Sequence, residues 1–235
     1  MRQGYPPGSA GGKFEAAGRQ DRGAGGEPGV GETLAVFGGS FDPPHLGHAL
    51  AALYVLSAYP VHRMLVIPAF RHPFAKPLAS FEHRATMCEL AMADVKRVEI
   101  SRIEQQLGGD SLTLRTLQEL GRRMPHNRLR LVIGSDLLRE IPNWHSFERI
   151  AEIAPPIVLS RGGHPAPEAV GTAPEAVGTA PEAVGTAPEA VGAVLPALSS
   201  SQVRQRINAG LSTEGWLCTA VARYIARHGL YRQSG

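Results

Sequence analysis

Three features of the sequence predict an α/β fold in which a parallel sheet carries helices on both faces. Short apolar runs, Thr33–Phe37 and Leu129–Ile133 foremost, have the length and composition of buried strands. Segments with apolar residues at helical spacing alternate with them along the chain. Glycine turns, Gly38-Gly39 and Gly134-Ser135-Asp136, follow two of the strands at the carboxyl end, where open parallel sheets bind ligands. With 235 residues, 43% of them apolar and 19% charged, the chain can bury a substantial core of ordinary globular composition.

Residues 1–32 are rich in Gly, Arg, Glu and Gln and nearly devoid of large apolar side chains. A disordered tail is expected there, ahead of a single domain over 33–235. Glu15, Asp21, Glu27 and Glu32 argue against a transit peptide. Thr33–Phe37 is the first strand, and the apolar-rich Ala49–Ser57 belongs to the helix after its glycine turn. Arg63–Ile67 is a short strand ending at Pro68. Phe81, Ala85, Cys88, Leu90, Ala91 and Met92 fall at roughly helical spacing over Phe81–Ala93. Arg97–Ile100 is a short strand. Ser111 is placed as the N-cap of a helix through Leu114, Leu117 and Leu120. Leu129–Ile133 is a clear strand, followed by Gly134–Asp136 and another helical piece. Ile157–Leu159 is a further strand and Val194-Leu195 a weaker one. The last helices are expected near Ser200–Asn208 and Thr219–Arg227, the second ending at Gly229.

One segment breaks the alternation. The heptapeptide Pro167–Ala173 recurs from Pro174 and Pro181 and begins again at Pro188. A seven-residue period suggests a coiled coil, but each unit contains a proline and a glycine, which interrupt a helix every two turns. A flexible surface insertion over 164–192 is the expectation, with a partner-binding tether as the other reading. Loop closure adds little cost to such an insertion.

The balance of 24 basic and 21 acidic residues leaves a net charge of +3, with no basic block of five or more. A nucleic-acid surface is therefore not indicated, whereas mild positive charge suits anionic small-molecule ligands. Cys88 and Cys218 sit in apolar helical patterns without partner spacing and read as small buried hydrophobes of a reducing compartment. The sequence contains no run of eighteen apolar residues and no apolar leader at its start. A membrane span and a secretory signal are thus not expected, and a cytoplasmic location is.

The most informative segment is Gly38-Gly39-Ser40-Phe41-Asp42-Pro43-Pro44-His45-Leu46-Gly47-His48. A strand leads into a glycine turn whose amides can approach phosphate oxygens, and a helix N-terminus adds partial positive charge. His45 and His48, three apart, share a helix face and can converge on one anion. A triphosphate would meet amides and imidazoles there, without a Walker-type lysine. No metal site is read from this segment.

These eleven residues resemble the GG-[ST]-FDP-x-H-x-GH signature of the nucleotidyltransferase superfamily, most closely that of bacterial nicotinate-nucleotide adenylyltransferases. The resemblance runs from about Leu34 to Tyr231, apart from the repeat. It implies a Rossmann-like sheet of nucleotidylyltransferase type. It also implies transfer of the adenylyl group of ATP to nicotinate mononucleotide, giving deamido-NAD and pyrophosphate. Within it, Gly38, Gly39, Ser40, Phe41, His45 and His48 bind ATP. Ser199-Ser200-Ser201-Gln202-Val203-Arg204 is similar to the family's I-S-S-T-x-I-R, which implies that Ser200 and Ser201 line the ATP site and Arg204 clamps its phosphates. Leu131–Asp136 looks like I-I-G-x-D, which implies that Gly134 and Asp136 contact the adenosine. The resemblance implies that Trp144 stacks on the pyridine ring while nearby main-chain amides, around His145, meet its carboxylate, and that Thr113 helps bind the nicotinate moiety, although Asp110 and Leu112 depart from the usual P-S-Y-T. After the second strand a His and a Lys are present out of register, so His72 or Lys76 contacts the mononucleotide phosphate or is solvated. Phe81–Arg84 fits the family's next helix, and Val221–Tyr231 its closing one, read as structural.

No nucleophile–base–orienter set appears, so direct attack by the mononucleotide phosphate is expected, with His45, His48 and Arg204 as the catalytic groups. Mg2+ is expected mainly on the ATP phosphates. Nicotinamide mononucleotide or phosphopantetheine as acceptor is the alternative of the same chemistry. A non-catalytic nucleotide-binding scaffold is the alternative of another class. The oligomeric state is not legible from the sequence.

Overall fold

The computed structural model describes residues 31–71, 77–138, 146–162 and 194–232. Residues 1–30 of the expected tail and the heptapeptide insertion lie outside them. Gly31 and Glu32 lie inside: the Glu32 carboxylate pairs with Arg63 at 2.8 Å, and its carbonyl accepts from the Arg128 amide at 2.9 Å.

Five strands, β1 (Thr33–Gly39), β2 (Arg63–Pro68), β3 (Val98–Ile100), β4 (Arg128–Gly134) and β5 (Pro156–Leu159), form one sheet in the order β3-β2-β1-β4-β5. Every pairing is parallel, with Val36 beside Leu65 on one side and beside Leu131 on the other. The helices are α1 (Leu46–Ala58), α2 (Phe81–Met92), α3 (Ile103–Leu107), α4 (Thr113–Arg123), α5 (Phe147–Ile153), α6 (Ser200–Asn208) and α7 (Thr219–His228). Strand alternation sends Ala35 and Phe37 to one face and Leu34 and Val36 to the other. The first face packs Ala51, Ala52 and Val55 of α1 with Cys88 and Met92 of α2. The second packs Ile103 of α3, Leu117 and Leu120 of α4, and Ile150 of α5. Apolar burial on both faces explains why the central strands read as continuous apolar runs. A smaller cluster joins Met87 of α2, Val203 of α6 and Val221 and Ile225 of α7.

Three details differ from the sequence expectation. Ser111 does not cap α4: Leu112 holds that position, and the Ser111 hydroxyl accepts from the Phe70 amide at 2.8 Å. A tertiary contact has claimed the side chain that local chemistry assigned to the cap. Val194-Leu195 is not a strand but a single parallel bridge from Leu195 to Arg161. The short α3 was not foreseen, because five residues carry too little periodicity. Cys88 is buried, with its thiol pushed up by that burial, and Cys218 is partly buried at the N-cap of α7. Among the described residues, no helix is long and apolar enough to cross a membrane.

The strand order reverses direction between β1 and β4. The crevice beyond the carboxyl ends of those two strands is where doubly wound sheets bind ligands, and both glycine turns open into it.

Candidate functional site

The turn after β1 is built around its own aromatic side chains. Phe41 is buried and takes a positive φ of 47°, a conformation uncommon for a non-glycine residue. Its ring meets Phe37 edge-on at 5.5 Å and supports His48 at 4.9 Å. A Cβ at Gly39 would press that ring at 3.2 Å, whereas one at Gly38 would meet nothing within 4 Å. Ser40 holds its place through its carbonyl, which accepts from Arg84 at 2.8 Å. Arg84 is 1% exposed and also donates to Ala79 at 2.9 Å and Phe70 at 3.3 Å, so one buried guanidinium ties the turn to both flanks of the loop after β2.

His45 is the N-cap of α1 and His48 its third residue. The rings stack with centroids 3.8 Å apart. A Cβ at Gly47 would lie 3.0 Å from His45 Nδ1, so the spacing needs a glycine there. The His45 amide donates to His48 Nδ1 at 3.1 Å, which leaves the proton of neutral His48 on Nε2. Two early helix amides are already engaged: Leu46 donates to the Trp216 carbonyl at 2.8 Å and His48 to the His45 carbonyl at 2.9 Å. The imidazoles, more than a sheaf of helix amides, are therefore the donors this turn presents.

Both imidazoles are held neutral. Burial first, then the Arg161 charge, lowers His45 to about 4. Burial, then His45, then Arg161, holds His48 well below the usual imidazole range. Arg161 follows β5 and lies 3.5 Å from Asp136 Oδ2, and its amide donates to Ser135 Oγ at 3.1 Å. A Cβ at Gly134 would sit 2.2 Å from Asp136 Oδ1, so only glycine lets that carboxylate fold over the strand end. Among the described residues, two buried side-chain polar atoms lack a hydrogen-bond partner: His45 Nδ1 and Asp136 Oδ1. Orphans of this kind are rare in folded proteins.

The late motif completes the cluster. Ser199 caps α6, its hydroxyl accepting from the Gln202 amide at 3.2 Å. The Ser200 hydroxyl donates to the Pro43 carbonyl at 2.9 Å. Arg204 donates from Nη1 to the Asp42 carbonyl at 2.7 Å and from Nη2 to Ser201 Oγ at 3.2 Å. Asp42 Oδ2 lies 3.7 Å from the same guanidinium. Ser200 and Arg204 thus sit against Asp42 and Pro43, which lie between the Gly38–Phe41 turn and His45, with Gly134 and Asp136 at the neighbouring strand end. Thr113 begins α4, at the same carboxyl edge of the sheet, joined to it through Ser111 and Phe70. His72, Lys76, Trp144 and His145 lie outside the described residues. Arg161 and Arg84 were missed by sequence reasoning. For Arg161 the available signal was a lone cation just past a parallel strand; for Arg84 there was none, because its partners are carbonyls of distant loops.

The described site donors are imidazole, hydroxyl and guanidinium groups, suited to phosphate oxygens. Of the carboxylates, Asp42 is engaged by Tyr231 and Ala79, and Asp136 stands beside Arg161. Among the described residues, no group of three or more His, Cys, Asp or Glu could hold a metal ion.

The cytidylyltransferase-like family model matches residues 36–206. A relative from Anaeromyxobacter dehalogenans (strain 2CP-C), named "Probable nicotinate-nucleotide adenylyltransferase", is 38% identical over 86% of this chain and 98% of its own. One of the same name from Thermus thermophilus is 36% identical over 85% of this chain and 99% of its own. A solved Plasmodium falciparum nicotinic acid mononucleotide adenylyltransferase, complexed with NaAD, superposes with a TM-score of 0.67 over 85% of this chain and 97% of its own. At 18% identity that likeness speaks for the fold alone. The chain belongs to the cytidylyltransferase-like nucleotidyltransferases and, within them, to the nicotinate-nucleotide adenylyltransferase family.

Proposed function

We propose that the protein transfers the adenylyl group of ATP to nicotinate mononucleotide, giving deamido-NAD and pyrophosphate in NAD biosynthesis. One observation carries this reading: two motifs 162 residues apart meet where Arg204 grips the main chain of the opening turn. The names of the relatives support the choice of acceptor.

In this mechanism the triphosphate lies over the turn, in the open space beyond Gly38. A phosphate oxygen of the mononucleotide attacks the α-phosphorus in line. The new P–O bond forms as the bond to the bridging α–β oxygen breaks, and that oxygen leaves with pyrophosphate. The protein's task is to position two anions and to stabilise the charge that builds on the leaving group. His48 Nε2–H and His45 donate to the α- and β-phosphate oxygens, and Arg204 holds the outer phosphates. Ser200 and Ser201 flank Arg204. Phe41, whose ring is buried, contributes through its main chain. Gly134 gives the Asp136 carboxylate its place over the strand end, on the adenosine side, and Asp136 Oδ2 accepts from the ribose. Arg161 adds fixed positive charge beside the imidazoles. Thr113, Trp144, His145 and Lys76 serve the mononucleotide. A divalent cation, Mg2+ in this reading, would be held mainly by the ATP phosphates and would offset their charge; no described residue is assigned to it.

Pyrophosphate release should be measured with ATP and Mg2+ and, side by side, nicotinate mononucleotide, nicotinamide mononucleotide and phosphopantetheine. The first acceptor should give the highest kcat/KM. Binding of ATP without pyrophosphate release from any of the three would mean a binding protein, not an enzyme.

A further inference from the structure

The closing segment reaches the phosphate turn. After Gly229 ends α7, Tyr231 adopts a φ of +63° and its hydroxyl donates to Asp42 Oδ1 at 2.7 Å. Burial, then the hydrogen bond and the charge of Asp42, pushes the phenol far above its usual range, so the proton stays on oxygen and the direction of donation is fixed. Asp42 is 2% exposed, and the same Oδ1 accepts from the Ala79 amide at 3.2 Å. Its other oxygen, Oδ2, faces Arg204 Nη1 at 3.7 Å, while the Asp42 carbonyl takes a hydrogen bond from that nitrogen at 2.7 Å. Phenol, carboxylate and guanidinium form one relay of contacts from the end of the chain to the candidate phosphate clamp.

The relay has a mechanical consequence. Two donors on Oδ1 stop the carboxylate from rotating, so only Oδ2 is turned toward Arg204. A guanidinium carries five N–H groups, and the contacts to Asp42 and Ser201 leave several of them for a ligand. A carboxylate free to rotate would close on Arg204 as a bidentate pair and turn that fork away from phosphate.

We propose that Tyr231 is a positioning residue for nucleotide binding: by pinning Asp42 it sets the orientation in which Arg204 meets the triphosphate. This rests on the reading that Arg204 contacts ATP, and it assigns a role to a segment whose family likeness suggests only structure.

The test is ATP affinity, measured by direct binding with Mg2+ and without acceptor, for wild type, Tyr231→Phe, Arg204→Ala and the double variant, each checked by thermal melting. Tyr231→Phe should weaken ATP about tenfold, the scale of one hydrogen bond to a charged group. In the Arg204→Ala background the same change should cost less than about twofold, because coupled residues are not additive. At saturating ATP, kcat of Tyr231→Phe should stay within about twofold of wild type, since the hydroxyl acts through ground-state positioning. Equal weakening in both backgrounds, or none in either, would overturn the proposal. A chain ending at Leu230 is the second variant should Tyr231→Phe melt early, read by the same two outcomes. The readout is binding, so a wrong acceptor assignment would leave it intact and show separately as absent pyrophosphate release.

Discussion

The two sides of the candidate phosphate site solve the same electrostatic problem differently. On the β1–α1 side, His48 packs against Phe37 and Phe41, His45 stacks on His48, and both rings are kept uncharged. On the other side, Arg204 and Arg161 carry permanent charge, each already matched by a carboxylate, Asp42 and Asp136 respectively. The imidazole side gives donors that add little attraction until a polyanion arrives and raises their proton affinity. The guanidinium side supplies fixed charge that steers and holds the same polyanion from the start. Under the proposed function, neutral donors beside the α-phosphorus respond to charge that develops, whereas fixed cations stabilise charge that is present throughout. In the proposed mechanism, rate therefore falls to the histidines and affinity to the arginines.

Removing a ring is the strongest way to break this division. His48→Ala should lower kcat by on the order of 10²-fold or more, with the melting curve retained, the scale of a lost transition-state donor. An unchanged kcat would refute the assignment. Arg204→Ala should instead act mainly through KM for ATP, raising it by about 10- to 100-fold, the range for charge-assisted hydrogen bonds. A kcat effect as large as that of His48→Ala, with KM unchanged, would erase the distinction.

The neutral state of the pair also has a signature in stability. Above pH 6.5 the His45 ring is neutral whether the chain is folded or not. Between 6.5 and about 4 the unfolded chain takes up a proton that the folded one refuses, so stability falls as pH falls through that window. From pH 7.5 to pH 5 the loss attributable to His45 is on the order of 2 kcal/mol. Denaturant unfolding of wild type and His45→Asn at the two pH values should show this difference, and parallel losses in both would remove it. The smallest expected effect is that of Gly38→Ala. The added methyl meets no protein atom, so the melt should hold while ATP affinity drops, roughly tenfold if the methyl crowds the phosphates.

What could be seen in the sequence was what local chemistry fixes. The strands β1 and β4, the turn Gly38–His48, the Gly134–Asp136 turn and the capped start of α6 are each specified by neighbours within a few residues. Ser111 shows how that logic fails: a good capping residue was drawn to the Phe70 amide, 41 residues away. Arg161 carries no local pattern and becomes visible only when β5 delivers it beside Asp136. The link between Tyr231 and Asp42 spans 189 residues, beyond any reading of spacing. The candidate site was thus legible as motifs, while the contacts that hold those motifs together were set by the topology of the sheet.

The most direct measurement follows the imidazole nitrogens by ¹⁵N NMR in histidine-labelled protein, with His45→Gln and His48→Gln to assign the signals. In the free protein, His45 should remain neutral down to about pH 5 and His48 should titrate well below the usual imidazole range, with its proton on Nε2, and both should shift when ATP and Mg2+ are added. Rings that titrate near pH 6.5 and ignore ATP would contradict the account at its centre.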